Sequence, residues 1–203
     1  MPRRRKSPAE TLRSIVADNL RESANAKVRF AAFGTGEVTA AARAVHRALA
    51  AGRRVFVCGN GGSAADAQHF AAELEGRYLL ERRALPVIAL TTNSSTLTAI
   101  GNDYGYEATF ARQVEAHARR GDVLVGISTS GNSANVLAAA RAARRTGAVV
   151  IGLTGRGGGR LAKSADLAIR APSDHVARIQ ECHIAAIHAI CAAVEQAMFG
   201  RSM

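Results

Sequence analysis

Short apolar runs that alternate with segments of helical spacing constrain the fold of this chain more than any other feature. The runs span residues 55–58, 86–90, 123–127, 148–153 and 166–169. Apolar runs without polar alternation are typical of strands buried on both faces, and parallel strands need a crossover, usually helical, between them. The sequence therefore predicts an α/β fold in which helices cover both faces of a parallel sheet. In such sheets ligands bind beyond the carboxyl ends of the strands, where the loops that follow the runs converge.

Residues 8–50 precede this pattern and are predicted to form a helical arm. Apolar side chains recur there at helical spacing, at Leu12, Ile15, Val16 and Leu20, and again at Val38, Ala42, Val45 and Leu49. Gly34-Thr35-Gly36 is predicted to divide the arm into two helices. The arm packs either on another subunit or on its own domain, and the spacing does not choose between them. Residues 1–7 are predicted to be a disordered basic tail, which leaves 8–203 as a single domain.

Composition narrows the classes of partner and the compartment. The formal net charge of +11 suits nucleic acid or small anions, but no helix-turn-helix, zinc-finger or aromatic RNA-binding motif accompanies it, so nucleic acid is not expected. Cys58, Cys182 and Cys191 are odd in number and lack CxxC spacing, which favours a reducing cytoplasm. No apolar run reaches about 18–20 residues and no secretory signal is visible, so no membrane partner is expected.

The stretch 122–133 ends a predicted strand in a turn rich in hydroxyl groups and opens a helix. The hydroxyl-bearing residues of this turn are Ser128, Thr129, Ser130 and Ser133. The first N–H groups of a helix have no partner within the helix and, together with the helix dipole, favour an anion. Gly131 allows the backbone to approach a ligand closely. The stretch therefore predicts a phosphate site, and simple capping of the helix by Ser133 or Asn132 is the alternative.

A glycine-rich turn follows the first predicted strand. Gly59-Asn60-Gly61-Gly62-Ser63 is neither GxGxxG nor a P-loop, and it suits a small polar ligand held by backbone groups and the Asn60 amide. Ser63 and Asp66 are interpreted as a helix-capping pair. His69 and Glu73 are four residues apart on the following helix and share a face. That pair suits a metal ion or acid–base chemistry, with a surface interaction as the alternative.

The last predicted helix carries four polar residues that suggest chemistry: Gln180, Glu181, His183 and His188. His183 lies on an apolar row and is predicted to be buried and hydrogen-bonded. His188 lies seven residues after Glu181 and so nearly on the same face of the helix, whereas it is roughly 80° round the helix from Gln180. Helical geometry alone therefore pairs His188 with Glu181. It does not decide which of these residues faces a ligand.

Five stretches of the chain resemble the phosphoheptose isomerases, a branch of the sugar-isomerase (SIS) domain proteins. They are CGNGGSAADAQHFAAELEGRY, TAIGNDYGYEATFARQVEA, GDVLVGISTSGNSANVLAAA, VIGLTGRGGG and RIQECHIAAIHAI. The resemblance implies a three-layer sandwich with a five-stranded parallel sheet and a homotetramer with its sites at subunit contacts. It also implies isomerisation of sedoheptulose 7-phosphate to D-glycero-D-manno-heptose 7-phosphate, the first step towards the activated heptose of bacterial surface polysaccharides.

The resemblance further implies roles for individual residues. Zn²⁺ is expected on His69, Glu73, Gln180 and His188. The phosphate group is expected on Ser128, Thr129, Ser130 and Ser133. Other substrate contacts are expected from Asn60, Gly61, Gly62, Asn102 and Asp103, together with Glu73 and Gln180. Glu73 is the expected base and His188 the expected acid of an enediol mechanism.

One position departs from the family pattern. Ala177 stands where some relatives carry aspartate, so either Asp174 takes over that role or the role is missing. Two other functions remain open at this point: a non-enzymatic SIS tetramer that binds a DNA-replication initiator protein, and an isomerase of a different phosphosugar. The four expected zinc ligands favour the enzyme, because a binding module has no need to place them together.

Overall fold

Strands and helices alternate along residues 8–200, the part of the chain that the computed structural model describes. The predicted tail 1–7 lies outside the described residues. The elements are α1 (Pro8–Ala50), β1 (Val55–Gly59), α2 (Gly62–Glu75), β2 (Val87–Ala89), α3 (Ser94–Tyr104), a 3₁₀ turn (Tyr106–Ala108), α4 (Thr109–His117), β3 (Val123–Ile127), α5 (Ala134–Thr146), β4 (Val149–Thr154), α6 (Gly159–Ser164), β5 (Leu167–Arg170) and α7 (Val176–Phe199).

The five strands form one parallel sheet in the order β2-β1-β3-β4-β5. Val57 of β1 lies between Ala89 of β2 and Val125 of β3, so β1 has a neighbour on either side. The chain runs outward from β1 to β2 and then returns to the other side of β1 for β3. The strand order therefore reverses between β1 and β3, where the carboxyl ends of the strands leave a crevice for a ligand. The prediction of a five-stranded parallel sheet is confirmed.

Two separate cores cover the two faces of the sheet. Val55 and Val57 of β1 pack with α1, α2 and α7, whereas Phe56 and Cys58 of the same strand pack with α4, α5 and α6. Every residue of β1 and β3 is buried. This double burial explains why the strands read as unbroken apolar runs. The three-layer sandwich that the resemblance implies is confirmed.

Helix α1 is a single 43-residue helix, so the predicted break at Gly34-Thr35-Gly36 is wrong. Gly34 is buried under the ring of Phe30, and a Cβ at residue 34 would stand 2.5 Å from Phe30 Cε2. The glycine therefore serves close side-chain packing, and its helix cost of about 1 kcal/mol relative to alanine is offset by that contact.

The two halves of α1 have different surroundings. From Ser23 onward the helix buries one face, and it packs mainly against α7 of the same chain. Before Ser23 its apolar side chains stay exposed, as shown by Leu12 at 65% and Leu20 at 68%. The arm thus packs on its own domain over its second half and leaves an apolar stripe unpartnered over its first half.

Helix α7 is long and apolar enough to cross a membrane by length and composition alone. Its apolar row faces the protein instead, because Ile179, Ile187 and Val194 belong to the core that covers the sheet. The apolar character of α7 is therefore explained by its central position against α1, α2 and the sheet.

The three cysteines are all buried and free of disulfides. Burial raises the pKa of the Cys58 thiol to about 12, and burial also raises the pKa values of Cys182 and Cys191. These thiols therefore act as small apolar side chains of the core.

Candidate active site

The turn between β3 and α5 gathers its hydroxyl groups close together. Ser128 Oγ lies 2.9 Å from Ser133 Oγ and 3.5 Å from Ser130 Oγ. Ser133 occupies the N-cap position of α5, but its hydroxyl does not cap the helix. Asn132 binds elsewhere, since its amide donates to the Ser130 carbonyl and accepts from the N–H of Arg160. The capping alternative is therefore wrong, and the hydroxyl cluster lies at a helix N-terminus that no side chain of the turn closes.

The loop after β4 packs directly on this turn. Gly155 donates its N–H to the carbonyl of Thr129 at 2.9 Å, and Leu161 donates to the carbonyl of Gly131 at 2.9 Å. Gly131 has a φ of +66°, and a Cβ on Gly159 would stand 2.5 Å from the Ser130 carbonyl oxygen. Only glycine fits such positions, so the sequence holds the two loops in close contact and keeps the turn rigid.

Asn60, at the end of β1, is hydrogen-bonded across the crevice to the start of α5. Its Nδ2 donates to Asn135 Oδ1 at 2.8 Å, and its Oδ1 accepts from Asn135 Nδ2 at 2.9 Å. The hydroxyl of Tyr106 also donates to Asn60 Oδ1, at 3.0 Å. Neither Asn135 nor Tyr106 was singled out from the sequence. Asn135 is a polar residue buried in the first turn of α5, where an apolar side chain is usual, and a buried polar side chain normally has a hydrogen-bond partner.

The two glycines that follow Asn60 leave room at the start of α2. Gly61 has a φ of +56° and forms the N-cap, so Ser63 and Asp66 are not the capping pair that was predicted. A Cβ on Gly62 would stand 2.5 Å from Gln180 Nε2, which shows that the Gln180 amide of α7 lies against the first residue of α2. Gly62 therefore leaves the space that the Gln180 amide occupies.

A cluster of three potential metal ligands joins α2 and α7. His69 Nε2 lies 2.9 Å from Glu73 Oε1 and 2.9 Å from His188 Nε2. One ligand atom from each of the three residues lies within 4.8 Å of the others. The rings of His69 and His188 are 4.9 Å apart between centroids, and the ring of Tyr78 lies 5.9 Å from that of His188. Two imidazole nitrogens and one carboxylate oxygen that converge in this way form a donor set that suits a zinc ion.

The two polar residues of α7 that could accompany His188, Gln180 and Glu181, have different surroundings in the structure. Glu181 is paired with Arg178 through hydrogen bonds of 2.7 and 2.5 Å, next to the backbone of Asn19 on α1. The pairing of His188 with Glu181, which helical geometry alone favoured, is therefore wrong. Gln180 lies at Gly62, seven residues before His69 on α2, and the structure does not bring its amide into hydrogen-bond contact with His69, Glu73 or His188 among the described residues.

The model of the SIS domain family matches residues 18–155 of the chain. A phosphoheptose isomerase of Rhodospirillum rubrum is 62% identical over 161 residues, which are 79% of this chain and 86% of that relative. One of Roseiflexus sp. is 49% identical over 193 residues, which are 95% of this chain and 98% of that relative. The chain belongs to the phosphoheptose isomerase family. The solved structure of a phosphoheptose isomerase from Neisseria gonorrhoeae, 47% identical, has a TM-score of 0.87 and covers 91% of this chain and 99% of that one.

Two positions of the phosphoheptose isomerase pattern lie on an exposed segment. Asn102 and Asp103 are near the end of α3, and the Asn102 amide donates to the Asp103 carboxylate at 2.8 Å. Helix α3 has no buried residue. Among the described residues, neither side chain forms a hydrogen bond or ion pair with the hydroxyl turn or the histidine cluster.

Asp174, the residue that could take over the role missing at Ala177, is exposed and forms an ion pair with Arg156 at 3.5 Å. Asp66 is a carboxylate that sequence reasoning misread, and its Oδ2 is buried without a hydrogen-bond partner among the described residues. Burial raises the pKa of Asp66 to about 6, against an opposing effect of His69.

A buried ion pair that the sequence did not reveal supports the cluster. Arg82 Nε donates to Glu195 Oε1 at 2.9 Å, and the two side chains are 1% and 2% exposed. The Arg82 guanidinium also donates to the backbone carbonyls at the end of α2, including that of Glu73 at 2.9 Å. The Glu195 carboxylate accepts from the N–H groups of residues 78–80, the segment that carries Tyr78. The pair thus joins the two helices that bear His69, Glu73 and His188.

His183 is buried and hydrogen-bonded, as predicted. Its Nε2 lies 3.1 Å from the carbonyl oxygen of Thr154, at the carboxyl end of β4. Burial lowers the pKa of His183 from 6.5 to about 4, and the bond to Thr154 only partly opposes that shift. The fold therefore requires the neutral imidazole.

The free energy of unfolding is expected to fall in acid because of His183. The unfolded chain binds a proton on this residue below about pH 6.5, whereas the folded chain does so only near pH 4. Stability that is fully present above pH 6.5 is then lost as the pH falls towards 4, by up to about 3 kcal/mol. Denaturant unfolding between pH 4 and 7.5 measures this loss, and His183→Gln, whose amide can still donate to Thr154, should flatten the curve. The exposed His117→Gln serves as the control, and equal slopes for the two variants would contradict the assignment.

Proposed function

We propose that this chain converts sedoheptulose 7-phosphate to D-glycero-D-manno-heptose 7-phosphate, the first step of bacterial nucleotide-activated heptose biosynthesis. The observation that carries the proposal is the convergence of His69, Glu73 and His188 from two helices, in a chain that belongs to the phosphoheptose isomerase family. Aldose–ketose isomerisation moves a proton between two neighbouring carbons, so it needs a base, an acid and stabilisation of charge on oxygen. This cluster offers a carboxylate and two imidazoles for those tasks.

Glu73 is the base that takes the carbon-bound proton. Its Oε1 faces His69, while its Oε2 has no hydrogen-bond partner among the described residues and is free to reach a substrate. His188 is the acid that returns a proton to the neighbouring carbon or to a substrate oxygen. His69 Nε2 contacts both groups, so that one ligand atom of the base and one of the acid lie within 4.8 Å of each other.

Zn²⁺ is the cofactor that we assign to this cluster, with His69, Glu73 and His188 as ligands and Gln180 as the fourth. Nitrogen and oxygen donors of this kind are common zinc ligands. When bound, the ion polarises the carbonyl and the adjacent hydroxyl of the sugar. Glu73 then has two tasks, because one carboxylate oxygen faces the ligand cluster and the other faces the substrate.

The phosphate group binds at the hydroxyl turn before α5. Ser128, Ser130 and Ser133 offer their hydroxyls there, and Thr129 adds a fourth. The helix N-terminus supplies N–H donors and a favourable dipole. Asn60, Gly61 and Gly62, on the other side of the crevice, and the Asn102–Asp103 segment are left to bind the sugar.

Incubation of the purified protein with sedoheptulose 7-phosphate, followed by chromatographic separation of the product sugars, tests the function. We expect D-glycero-D-manno-heptose 7-phosphate to accumulate. Turnover of another ketose phosphate in its place would support the isomerase of a different phosphosugar. If no phosphosugar turns over and the chain binds a replication initiator protein, the enzyme proposal is wrong.

His188→Ala is expected to lose both the metal ion and turnover, because it removes one of three converging ligands. The measurement combines elemental analysis of dialysed protein with the isomerase rate, and the exposed His117→Ala is the matched control. Zinc content near one ion per chain is expected for the unmodified protein and for the control. Protein that lacks zinc and whose rate is unaffected by chelation would overturn the zinc assignment.

We also propose a cytoplasmic homotetramer with its sites at subunit contacts. The first half of α1 exposes an apolar stripe that includes Leu12 and Leu20, and Phe33, further along the same helix, is 81% exposed. A groove of about 510 Å³ lies between α1 and α7, lined by Phe30, Val38 and alanines of α7. A second copy of the chain suits both surfaces. The stripe on α1 carries projecting apolar side chains, and the groove between α1 and α7 is lined largely by small residues that such side chains can cover. Light scattering should give the mass of four chains, and a fully active monomer would contradict the assembly.

A further inference from the structure

Tyr106 reaches the crevice between β1 and β3 through a hydrogen bond to Asn60. The side chain of this tyrosine is exposed, yet its hydroxyl donates to Asn60 Oδ1 at 3.0 Å. Its backbone is held from the protein side, because the buried Thr109 donates its hydroxyl to the Tyr106 carbonyl at 2.8 Å. The residue therefore connects the surface segment after α3 to the crevice.

The hydrogen bonds around Asn60 determine the orientation of its amide. The N–H of Val136 can only donate, and it donates to Asn135 Oδ1 at 3.0 Å, which identifies the oxygen of that amide. Asn60 must then direct Nδ2 to this oxygen and Oδ1 to Asn135 Nδ2 and to the Tyr106 hydroxyl. Both lone pairs of Oδ1 are used, while Nδ2 has two hydrogens and one partner among the described residues. One N–H of Asn60 thus remains as a donor in a fixed direction.

The same hydroxyl also holds the segment that carries Asn102 and Asp103. Helix α3 buries no residue, and Gly105 follows it with a φ of +81° before the 3₁₀ turn. A segment with little buried surface depends on individual polar contacts for its position. The bond from Tyr106 to Asn60 is such a contact, and it links this end of α3 to β1.

We propose that Tyr106 is a positioning residue for sugar binding, which acts through Asn60 by aiming its free N–H at an oxygen of the substrate. The proposal rests on the isomerase function proposed above. Tyr106 sets the affinity for the sugar and leaves proton transfer unchanged, because the hydroxyl contacts the amide and touches neither Glu73 nor His188.

Tyr106→Phe tests the proposal, since it removes one hydroxyl and keeps the ring. Loss of this neutral hydrogen bond is expected to raise KM for sedoheptulose 7-phosphate by about 3- to 10-fold and to leave kcat within about twofold of the unmodified chain. Tyr104→Phe is the matched control from the same segment, because the contact described for Tyr104 is the Arg112 guanidinium over its ring, 3.9 Å from the centroid. Unchanged KM in Tyr106→Phe, or a fall in kcat alone, would overturn the proposal.

A double-mutant cycle with Asn60→Ala separates positioning from direct contact. If Tyr106 acts through Asn60, its replacement by phenylalanine has no further effect on KM once the amide is gone. Equal effects in both backgrounds would mean that Tyr106 acts independently of Asn60, and the proposal would be wrong.

Hydrogen exchange of residues 102–108 gives a readout that needs no turnover. Exchange in this segment should be faster in Tyr106→Phe than in the unmodified chain and in Tyr104→Phe. Equal exchange in all three proteins would exclude the role of the hydroxyl in holding the segment. If the unmodified chain does not isomerise sedoheptulose 7-phosphate, the proposed function is wrong. If it does, and Tyr106→Phe has the same KM and the same hydrogen exchange as the unmodified chain, only the role of Tyr106 is wrong.

Discussion

Glu73→Gln is expected to lower kcat by at least about 10³-fold, because the amide cannot accept the carbon-bound proton. Binding of sugar phosphate should change little, since the hydroxyl turn before α5 and the amide of Asn60 are untouched. The isomerase assay at saturating sedoheptulose 7-phosphate measures the rate, and elemental analysis checks that the variant retains zinc through its amide oxygen.

Glu75→Gln is the matched control for that experiment. It removes the same charge from the same helix. Glu75, however, is exposed and, two residues after Glu73, points to a different side of α2 from His69 and Glu73. We expect the control to keep its rate within about twofold. A Glu73→Gln enzyme that retains the rate of the control would exclude Glu73 as the base.

Glu195→Ala is expected to lower the free energy of unfolding by about 3–5 kcal/mol, because it leaves the Arg82 charge buried and unpaired. For a chain of this size, that loss corresponds to a fall in Tm of about 6–20 °C. Burial raises the pKa of Glu195, but the N–H groups of Leu80, Leu79 and Tyr78 and the Arg82 side chain outweigh it and hold the pKa below its usual value. The carboxylate is therefore charged near neutral pH, and calorimetry at pH 7 measures the loss.

Two comparisons show whether this ion pair has the importance that its burial indicates. Arg145→Ala breaks an exposed pair with Glu115 and should cost less than about 1 kcal/mol. Arg82→Met combined with Glu195→Leu removes both charges, yet it leaves the backbone N–H groups of residues 78–80 without their acceptor. Apolar replacement often restores stability at buried ion pairs, but here we expect the double variant to stay destabilised. Full recovery would mean that these backbone groups find other partners.

Much of the fold follows from local sequence patterns, since strands buried on both faces must be apolar throughout. The break expected at Gly34 was wrong because the role of this glycine depends on Phe30, one turn away on the same face. Helical spacing alone favoured Glu181 beside His188, whereas in the folded chain Glu181 pairs with Arg178 near α1 and the Gln180 amide lies against Gly62 of α2. Asn135 pairs with a residue 75 positions away, and Glu195 with one 113 positions away. No local pattern marks such pairs, so they emerge only once the chain is folded.

The burial of all three native thiols has a practical consequence for studying assembly. A thiol reacts with maleimides as its thiolate, and the raised pKa values and burial keep Cys58, Cys182 and Cys191 unreactive near neutral pH. Lys163→Cys on α6, which is exposed and lies outside the apolar stripe of α1, would then accept a fluorescent dye at one defined position, with no native cysteine removed. Energy transfer between donor- and acceptor-labelled chains would report subunit exchange directly.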